Sequence, residues 1–358
     1  GFLDSIVKEI GARRLLLDSV TQFNMELNNA ADLRKSIYSL CSGFKRMGLT
    51  SVLIKEVDDY KSFKASFEEF LVDSVIRLYF EESFRSRRRY IEVLKSRGQD
   101  FISGKYPFKF GDEGLEITGI INMQKLPNKN AFSLSERLKS GIDGFDNILG
   151  GGFLKSTTVM VEGASGTGKT VMGIHYLLEG IKHGEKCLLL ATEESADFIT
   201  QYINSFNINP EIISDNPNMC IMDRIFSSTS IEEVIDDVIA KVTANSVQRV
   251  VIDFVNTFVE FSDNFLTLKT ILRNLINYLN MMGCTTILIL NEDVNYPLKS
   301  VIQPLVQGEI YLSSTVRKGK RYRSLEVNKM KGQRYISGTH LAEISSDGMS
   351  VFQRFGGI

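Results

Sequence analysis

The chain has no tryptophan and only 6 prolines, 4 cysteines and 3 histidines among 358 residues. Each scarcity excludes something. Cys41, Cys187, Cys220 and Cys284 form no CxxC pair, and His175, His183 and His340 are dispersed. Neither a structural zinc site nor a disulfide framework is expected, and the cysteines read as small buried hydrophobes of a reducing, cytoplasmic compartment. Charge of one sign is missing too. Lys and Arg number 42 against 43 Asp and Glu, for a formal net charge of -1, so nothing announces a general nucleic-acid or membrane surface. No apolar run reaches the roughly 18 residues that span a bilayer, and the opening GFLDSIVKEIGARR lacks a charged-then-apolar signal pattern. What is present, 43% hydrophobic and 24% charged residues, is the composition of a soluble globular protein of about two domains.

An internal repeat organises the chain. The segment from Val72 to Ile117 aligns without a gap on Val306 to Val351, pairing Arg87 with Arg321, Glu92 with Glu326, Lys95 with Lys329, Gly98 with Gly332, Gly104 with Gly338 and Gly114 with Gly348. Upstream, ARRLLLDSVTQF from Ala12 matches VQRVVIDFVNTF from Val247, and MGLTSVLIKE from Met47 resembles MGCTTILILNE from Met282. The matches keep their order, so two copies of one fold are expected. They are unequal, because the long stretch preceding Asp253 has almost no counterpart before Asp18. The expected division is 1–117, the C-terminal half of a first module without a phosphate loop; 118–134, a linker containing LPNKN; and 135–358, a complete second module. A half module must be completed by something to bury its core, and truncation is a better expectation than a half-sized domain.

The second copy alternates strand and helix. TTVMVEG from Thr157, KCLLLAT from Lys186, RVVIDF from Arg249 and CTTILIL from Cys284 read as buried strands. Between them, Val171, Ile174, Leu177, Leu178 and Ile181 recur at helical spacing before Gly184. Ser230 with Glu233 forms a capping box for a helix through Ile239, and Leu266 to Met282 predicts another. The order is βαβαβ with a strand-rich tail after Gly308, where RKGK (Arg317 to Lys320) reads as a hairpin turn. This is an α/β fold with a mostly parallel sheet and crossover helices.

The chemistry gathers at predicted strand ends. Gly163 to Thr170, GASGTGKT, fits G-x-x-x-x-G-K-[ST] between a strand and a helix. In that context Gly163, Ser165, Gly166, Thr167, Gly168 and Val171 let backbone N–H groups close around phosphate oxygens of ATP. Lys169 would meet the β- and γ-phosphates and Thr170 would offer its hydroxyl to Mg2+. Asp253 closes the strand VVID and can reach the metal through its water shell, though any buried strand can end in aspartate. Glu193 and Glu194 follow the next strand, at the carboxyl edge where open α/β sheets bind ligands. One of them can polarise the attacking water; a solvated acidic pair at a helix start is the alternative. Asn291 and Glu292 end a further strand, as a γ-phosphate sensor or as a loop cap. Lys329 and Lys331 share one strand face, matched by Lys95 and Arg97 in the first copy. They could reach a neighbouring subunit's phosphates or form a solvated basic face. The run Arg85 to Arg89 lacks the interleaved aromatics of a nucleic-acid surface and reads better as a strand face or subunit contact.

SGIDGFDNILGGGF from Ser140, GASGTGKT, EES at Glu193 to Ser195 and VVID at Asp253, with LLLDS, KSRG and FGDEGLEI in the first copy, resemble the KaiC family of RecA-superfamily ATPases. The resemblance covers nearly the whole chain. It implies a RecA-like double module that forms a homo-oligomeric, hexameric ring with ATP at subunit interfaces. Lys169 and Thr170 would act in cis, Glu193 or Glu194 would activate water, and Lys329 and Lys331 would match a lysine-then-arginine finger pair. The second finger here is lysine, without the bidentate fork of arginine. Clock members autophosphorylate on an adjacent serine and threonine. The nearest aligned residues here are Pro304 and Leu305, which have no hydroxyl, so that activity is not expected there. Asp253 is followed by Phe254 where the first copy has Ser19. Two other functions compete: a DNA-acting recombinase or helicase, and a ring module that uses ATP as a structural ligand. The first would need basic channel loops. Neither Asn295 to Gln307, with one lysine, nor the acidic Phe258 to Leu266 supplies them.

Overall fold

The computed structural model describes residues 2–22, 30–57, 66–82, 87–117, 134–206, 216–224, 231–260, 265–292 and 298–353. The capping residue Ser230, residues 118–133 of the expected linker and Arg85 with Ser86 of the basic run lie outside them. The chain divides into two compact units, Gly1–Ile117 and Thr118–Ile358.

The second unit is built on a nine-stranded sheet in the order β11-β10-β12-β13-β9-β14-β15-β16-β17. Its strands are β9 (Thr158–Gly163), β10 (Cys187–Ala191), β11 (Met219–Asp223), β12 (Arg249–Asp253), β13 (Thr285–Asn291), β14 (Gly308–Arg317), β15 (Lys320–Met330), β16 (Thr339–Ser345) and β17 (Gly348–Phe352), and the short strands β7 (Arg137–Leu138) and β8 (Phe153–Leu154) form a separate antiparallel pair. From β11 to β14 every pairing is parallel, and from β14 to β17 every pairing is antiparallel. The parallel strands carry β-branched and leucine residues without polar alternation because both faces are covered. Period two then splits them between two cores. Val159, Val161, Leu189, Val251, Ile287 and Ile289 join the cluster under the helix Lys169–Lys182. Met160, Leu188, Leu190, Val250, Ile252 and Leu288 join the cluster under the helices Ile231–Asn245 and Phe265–Met281.

Sequence spacing placed these strands and helices within a few residues. It missed the edge strand β11, the helix Ala196–Asn204 and the short helix Leu298–Ile302. β11 and the helix Leu298–Ile302 are only five residues each, too short to show a period, whereas Ala196–Asn204 buries Ile199 and Ile203 at helical spacing behind the Ser195 cap, a signal that sequence reasoning passed over. The helix from Ile231 also runs past Ile239 to Asn245. The hairpin turn falls where RKGK stands, with Lys318 at φ 50 and Gly319 at φ 75, the left-handed pair that a two-residue hairpin turn requires.

One histidine pins the helix Lys169–Lys182 to its surroundings. His175 Nδ1–H donates to Gly141 O at 3.1 Å, and Nε2 accepts from the Met349 N–H at 2.9 Å. Only the neutral ring satisfies both. Burial lowers its pKa, with Lys182 adding to the effect and Gly141 and Glu179 opposing it. The unfolded chain therefore takes up a proton that the fold refuses. Stability conferred by His175 is complete above the unfolded value of about 6.5 and falls as pH drops below it. Urea melts at pH 7.5 and 5.5 are expected to show this loss, and His175→Gln is expected to flatten the difference. An unchanged pH dependence in the variant would rule the staple out.

The first unit contains α1 (Phe2–Ile10), β1 (Arg14–Asp18), α2 (Ala30–Arg46), β2 (Thr50–Ile54), α3 (Phe67–Leu71), β3 (Ser74–Glu82), β4 (Arg87–Ser96), β5 (Lys105–Gly111) and β6 (Gly114–Ile117). β1 and β2 pair in parallel, and β3 to β6 form an antiparallel sheet. The β3–β4 register shifts between Val75 and Ile76, and the β14–β15 register shifts between Glu309 and Ile310. These positions are partners in the sequence repeat. Leu16 and Val52 are exposed here (65% and 56%), whereas their counterparts Val251 and Ile287 are 1% exposed in the second unit.

Candidate nucleotide site

Parallel pairing brings four strand ends to one edge of the second unit. Gly163 pairs with Asn291 across β9 and β13, and Ala191 pairs with Asp253 across β10 and β12. The strand between β9 and β12 is β13, so the loop after β9 faces Asp253 across a gap one strand wide. Such a break in strand order is where open α/β sheets leave a ligand crevice.

The loop Gly163–Gly168 enters the helix Lys169–Lys182 at Gly168, whose φ of 106 is a left-handed value. A side chain at Gly168 would also strike Met349 and Ile344, and one at Gly163 would strike the Leu312 carbonyl. Both positions need glycine for close approach. Ala164, Ser165 and Gly166 are exposed, while Thr167 and Val171 are buried. Thr167 Oγ1 donates to Ala164 O at 2.8 Å and braces the turn. Lys169 is buried, and its Nζ donates to Gly163 O (2.8 Å) and Ala164 O (2.9 Å). Burial lowers its pKa, while Asp253, Glu193 and Glu292 pull it up. These three carboxylates are the charges that favour the ammonium form.

Asp253 is 2% exposed, and its Oδ1 has no hydrogen-bond partner among the described residues. Burial pushes its pKa up to about 7. The Thr170 hydroxyl bonded to it and Lys169 pull the other way, and Glu194 and Glu193 add to the rise. A buried carboxylate with an idle oxygen, beside a hydroxyl and further acids, is a donor set of hard oxygens that suits Mg2+. Thr192 Oγ1 holds the turn after β12, lying 2.9 Å from Asp253 O and 3.0 Å from Phe254 O. Phe254 sits at φ 62, with its ring centroid 5.7 Å from Lys169 Nζ.

Glu193 and Glu194 stand between β10 and Ser195, which caps the helix Ala196–Asn204 by accepting from the Phe198 N–H. Glu193 is exposed and acts on Lys169; Glu194 is half-buried, with its pKa raised by burial, and acts on Asp253 and Tyr202. Asn291 is locked by Asn256, whose side chain accepts from its N–H (2.7 Å) and donates to its C=O (3.1 Å). Its own buried Oδ1 has no partner among the described residues.

Lys329 and Lys331 do not join this group. Met330 pairs with Gly308, which pairs with Val159 near the start of β9. Both lysines thus stand at the edge opposite the phosphate loop of their own unit. Sequence reasoning overlooked Arg321 and Arg323, whose strand reaches the loop from the side. Arg323 Nε donates to Gly166 O at 3.1 Å. Their alternate spacing on a strand that extends past Leu312, the partner of Gly163, was the available signal.

A family model described as "ATPase: KaiC" matches residues 1–121 and 138–355. The chain belongs to the KaiC ATPase family. It is therefore a RecA-superfamily P-loop ATPase, with the large mixed sheet flanked by helices expected of one. Three proteins named circadian clock oscillator protein KaiC are among its relatives. That of Picosynechococcus is 25% identical over 98% of this chain and 68% of its own length. That of Acaryochloris marina is 30% identical over 69% and 47%, and that of Parathermosynechococcus lividus is 28% identical over 98% and 65%. The chain thus spans from about half to about two thirds of the length of these KaiC relatives. No helix among the described residues is long and apolar enough to cross a membrane.

Proposed function

We propose that this chain binds ATP with Mg2+ at the edge formed by β9, β10, β12 and β13, and hydrolyses it slowly within a homo-oligomeric ring that signals to protein partners. The observation that carries this reading is the gathering of Lys169, Thr170, Asp253, Glu193 and Glu194 at one crevice, around a buried carboxylate oxygen with no hydrogen-bond partner among the described residues. The loop amides and Lys169 bind the phosphates, Thr170 and Asp253 hold the metal, and Glu193 or Glu194 orients the attacking water. Mg2+ bound there would neutralise charge on the β- and γ-phosphate oxygens. Asn291, at the end of β13, stands between the loop and Asp253.

The placement of Lys329 and Lys331 at the opposite sheet edge favours a ring. Neither serves its own loop, but in a head-to-tail assembly each could meet a neighbour's nucleotide, which is how finger residues work. The first unit is read as a second copy of the fold whose residues here include no phosphate loop. Support comes from the shared register shift and from exposed Leu16 and Val52, whose counterparts are covered by the helix after the phosphate loop. Pro304 and Leu305 stand where clock relatives would be phosphorylated, so hydrolysis rather than autophosphorylation is the proposed chemistry.

ATP turnover and sedimentation of the wild type and Lys169→Ala, with and without single-stranded DNA, test the reading. Lys169-dependent, DNA-insensitive turnover by a nucleotide-stabilised oligomer is expected. Strong stimulation by DNA would replace it with a motor. Assembly with ATP but without turnover would leave the nucleotide as a structural ligand.

A further inference from the structure

Lys329 is held within its own subunit. Its Nζ donates to the Gln303 carbonyl at 2.6 Å. The same tether occurs in the first unit, where Lys95 Nζ donates to Glu69 O at 2.8 Å and Val72 O at 2.7 Å. Lys95 pairs with Lys329 in the repeat, and the same alignment extended three residues pairs Glu69 with Gln303. The second unit adds something the first does not have. Gln303 Nε2 donates to Glu309 Oε2 at 2.8 Å, and Lys299 Nζ lies 3.6 Å from Glu309 Oε1 and 2.5 Å from Glu162 Oε2. Glu162 and Glu309 are buried in the sheet at 8% and 4% side-chain exposure. Val75 occupies the position of Glu309 in the first unit, so the charged bridge is confined to the unit that has the phosphate loop.

The bridge joins β9 to β14, with Glu309 paired to Met160, two residues before Glu162. Glu162 immediately precedes Gly163, whose carbonyl accepts from Lys169 Nζ and from the Glu292 N–H (3.1 Å). Glu309 lies toward the opposite edge, opposite Lys329 in the β14–β15 pairing. Two buried carboxylates share the Lys299 ammonium, and Gln303 links Glu309 to Lys329, donating from its side chain to the first and accepting through its carbonyl from the second. Burial works against the Lys299 charge, but bonds and attraction from Glu162 and Glu309 outweigh it. Burial and Lys331 lower the pKa of Lys329, while Glu309 raises it. Loss of the Lys299 charge would leave both buried carboxylates uncompensated, which is costly, and would disturb the Gln303 side chain and with it the carbonyl that holds Lys329.

We infer that Lys299, Glu162 and Glu309 form a positioning bridge that couples the phosphate-loop strand of one subunit to the finger Lys329 that it presents to the next. This rests on the reading of Lys329 as a finger acting in trans. A nucleotide that moves Lys169 off the Gly163 carbonyl shifts the strand end at Glu162, and the bridge relays the change to Gln303 and Lys329. The bridge makes each subunit's finger depend on that subunit's own nucleotide.

Mixed oligomers test it. Lys329→Met subunits keep a complete nucleotide crevice but have no first finger. Glu193→Gln/Glu194→Gln subunits bind nucleotide and present the finger but do not hydrolyse. Mixing them is expected to restore turnover, with co-sedimentation to show that both are in the oligomer. No restoration would overturn the trans reading of Lys329 and, with it, this bridge. Adding Lys299→Met to the finger-donating subunit is expected to cut the restored rate about tenfold, as changes in coupling networks do, without moving the KM for ATP. Lys299→Arg, which keeps the charge, is expected to restore it. Glu162→Gln in the donor is expected to give the same loss and serves if Lys299→Met does not fold. Equal restoration by donors with and without the bridge, at matched co-sedimentation, would overturn the proposal while leaving the finger intact.

Discussion

Glu193→Gln combined with Glu194→Gln is expected to lower kcat by about 10^2- to 10^4-fold, the range for a general base, while nucleotide affinity and nucleotide-driven assembly persist. The asymmetry of the pair makes a sharper statement. Glu193 is exposed and acts on Lys169 and, less than Glu194, on Asp253; Glu194 is half-buried and acts on Asp253 and Tyr202. Glu193→Gln alone is therefore expected to produce most of the loss, and Glu194→Gln a smaller one through the metal side. Single-turnover hydrolysis read beside sedimentation checks this. If turnover and assembly disappear together, the pair is a structural cap for the helix Ala196–Asn204. If neither changes, the water is oriented by another group.

Asp253→Asn is expected to do two things of opposite sign. Turnover should fall about a hundredfold or more, because a Lewis-acid ion supplies several kcal/mol of charge stabilisation and each 1.36 kcal/mol is tenfold. The nucleotide-free protein should melt higher. Burial raises the pKa of Asp253 to about 7 from 3.8, so the ionised group at neutral pH is held at a cost to folding. Lys169 and Thr170 offset only part of that cost. A neutral amide removes the charge, and a gain of roughly 1 kcal/mol would raise Tm by about 2–4 °C for a unit of this size. Thermal melts of both proteins, with and without ATP and Mg2+, separate the effects. The wild type should gain stability on Mg2+ addition in the presence of ATP, and the variant should not. A lower Tm for the nucleotide-free variant would mean that the carboxylate is paired in the fold, which would sink the metal-ligand reading too.

Legibility followed physical locality. The strands β9, β10, β12 and β13 were readable because burial on both faces forces apolar runs, and the phosphate loop because its glycines and Lys169 fall between a strand and a helix. The hairpin turn at Lys318 and Gly319 was readable from turn chemistry alone. β11 was not, since Met219 to Asp223 is only partly buried at the sheet edge and forms by pairing with β10. Nor was Arg323, which meets Gly166 across 157 positions of chain. The bridge was beyond reach for the same reason. Lys299, Glu162 and Glu309 become neighbours only after β9 and β14 have paired.

By itself the sequence determined the chemistry available to this protein: a phosphate loop, an aspartate closing a buried strand, an acidic pair after the next strand and two lysines alternating on a third. Residue type and local spacing suffice for that, because loop, strand end and strand face are short-range properties. Only the tertiary structure decided which of these share a crevice. Parallel strands gather their carboxyl ends at one edge, so Asp253, Glu193 and Glu194 come to Lys169. An antiparallel return carries Lys329 and Lys331 to the other edge, where the Gln303 carbonyl holds the first of them.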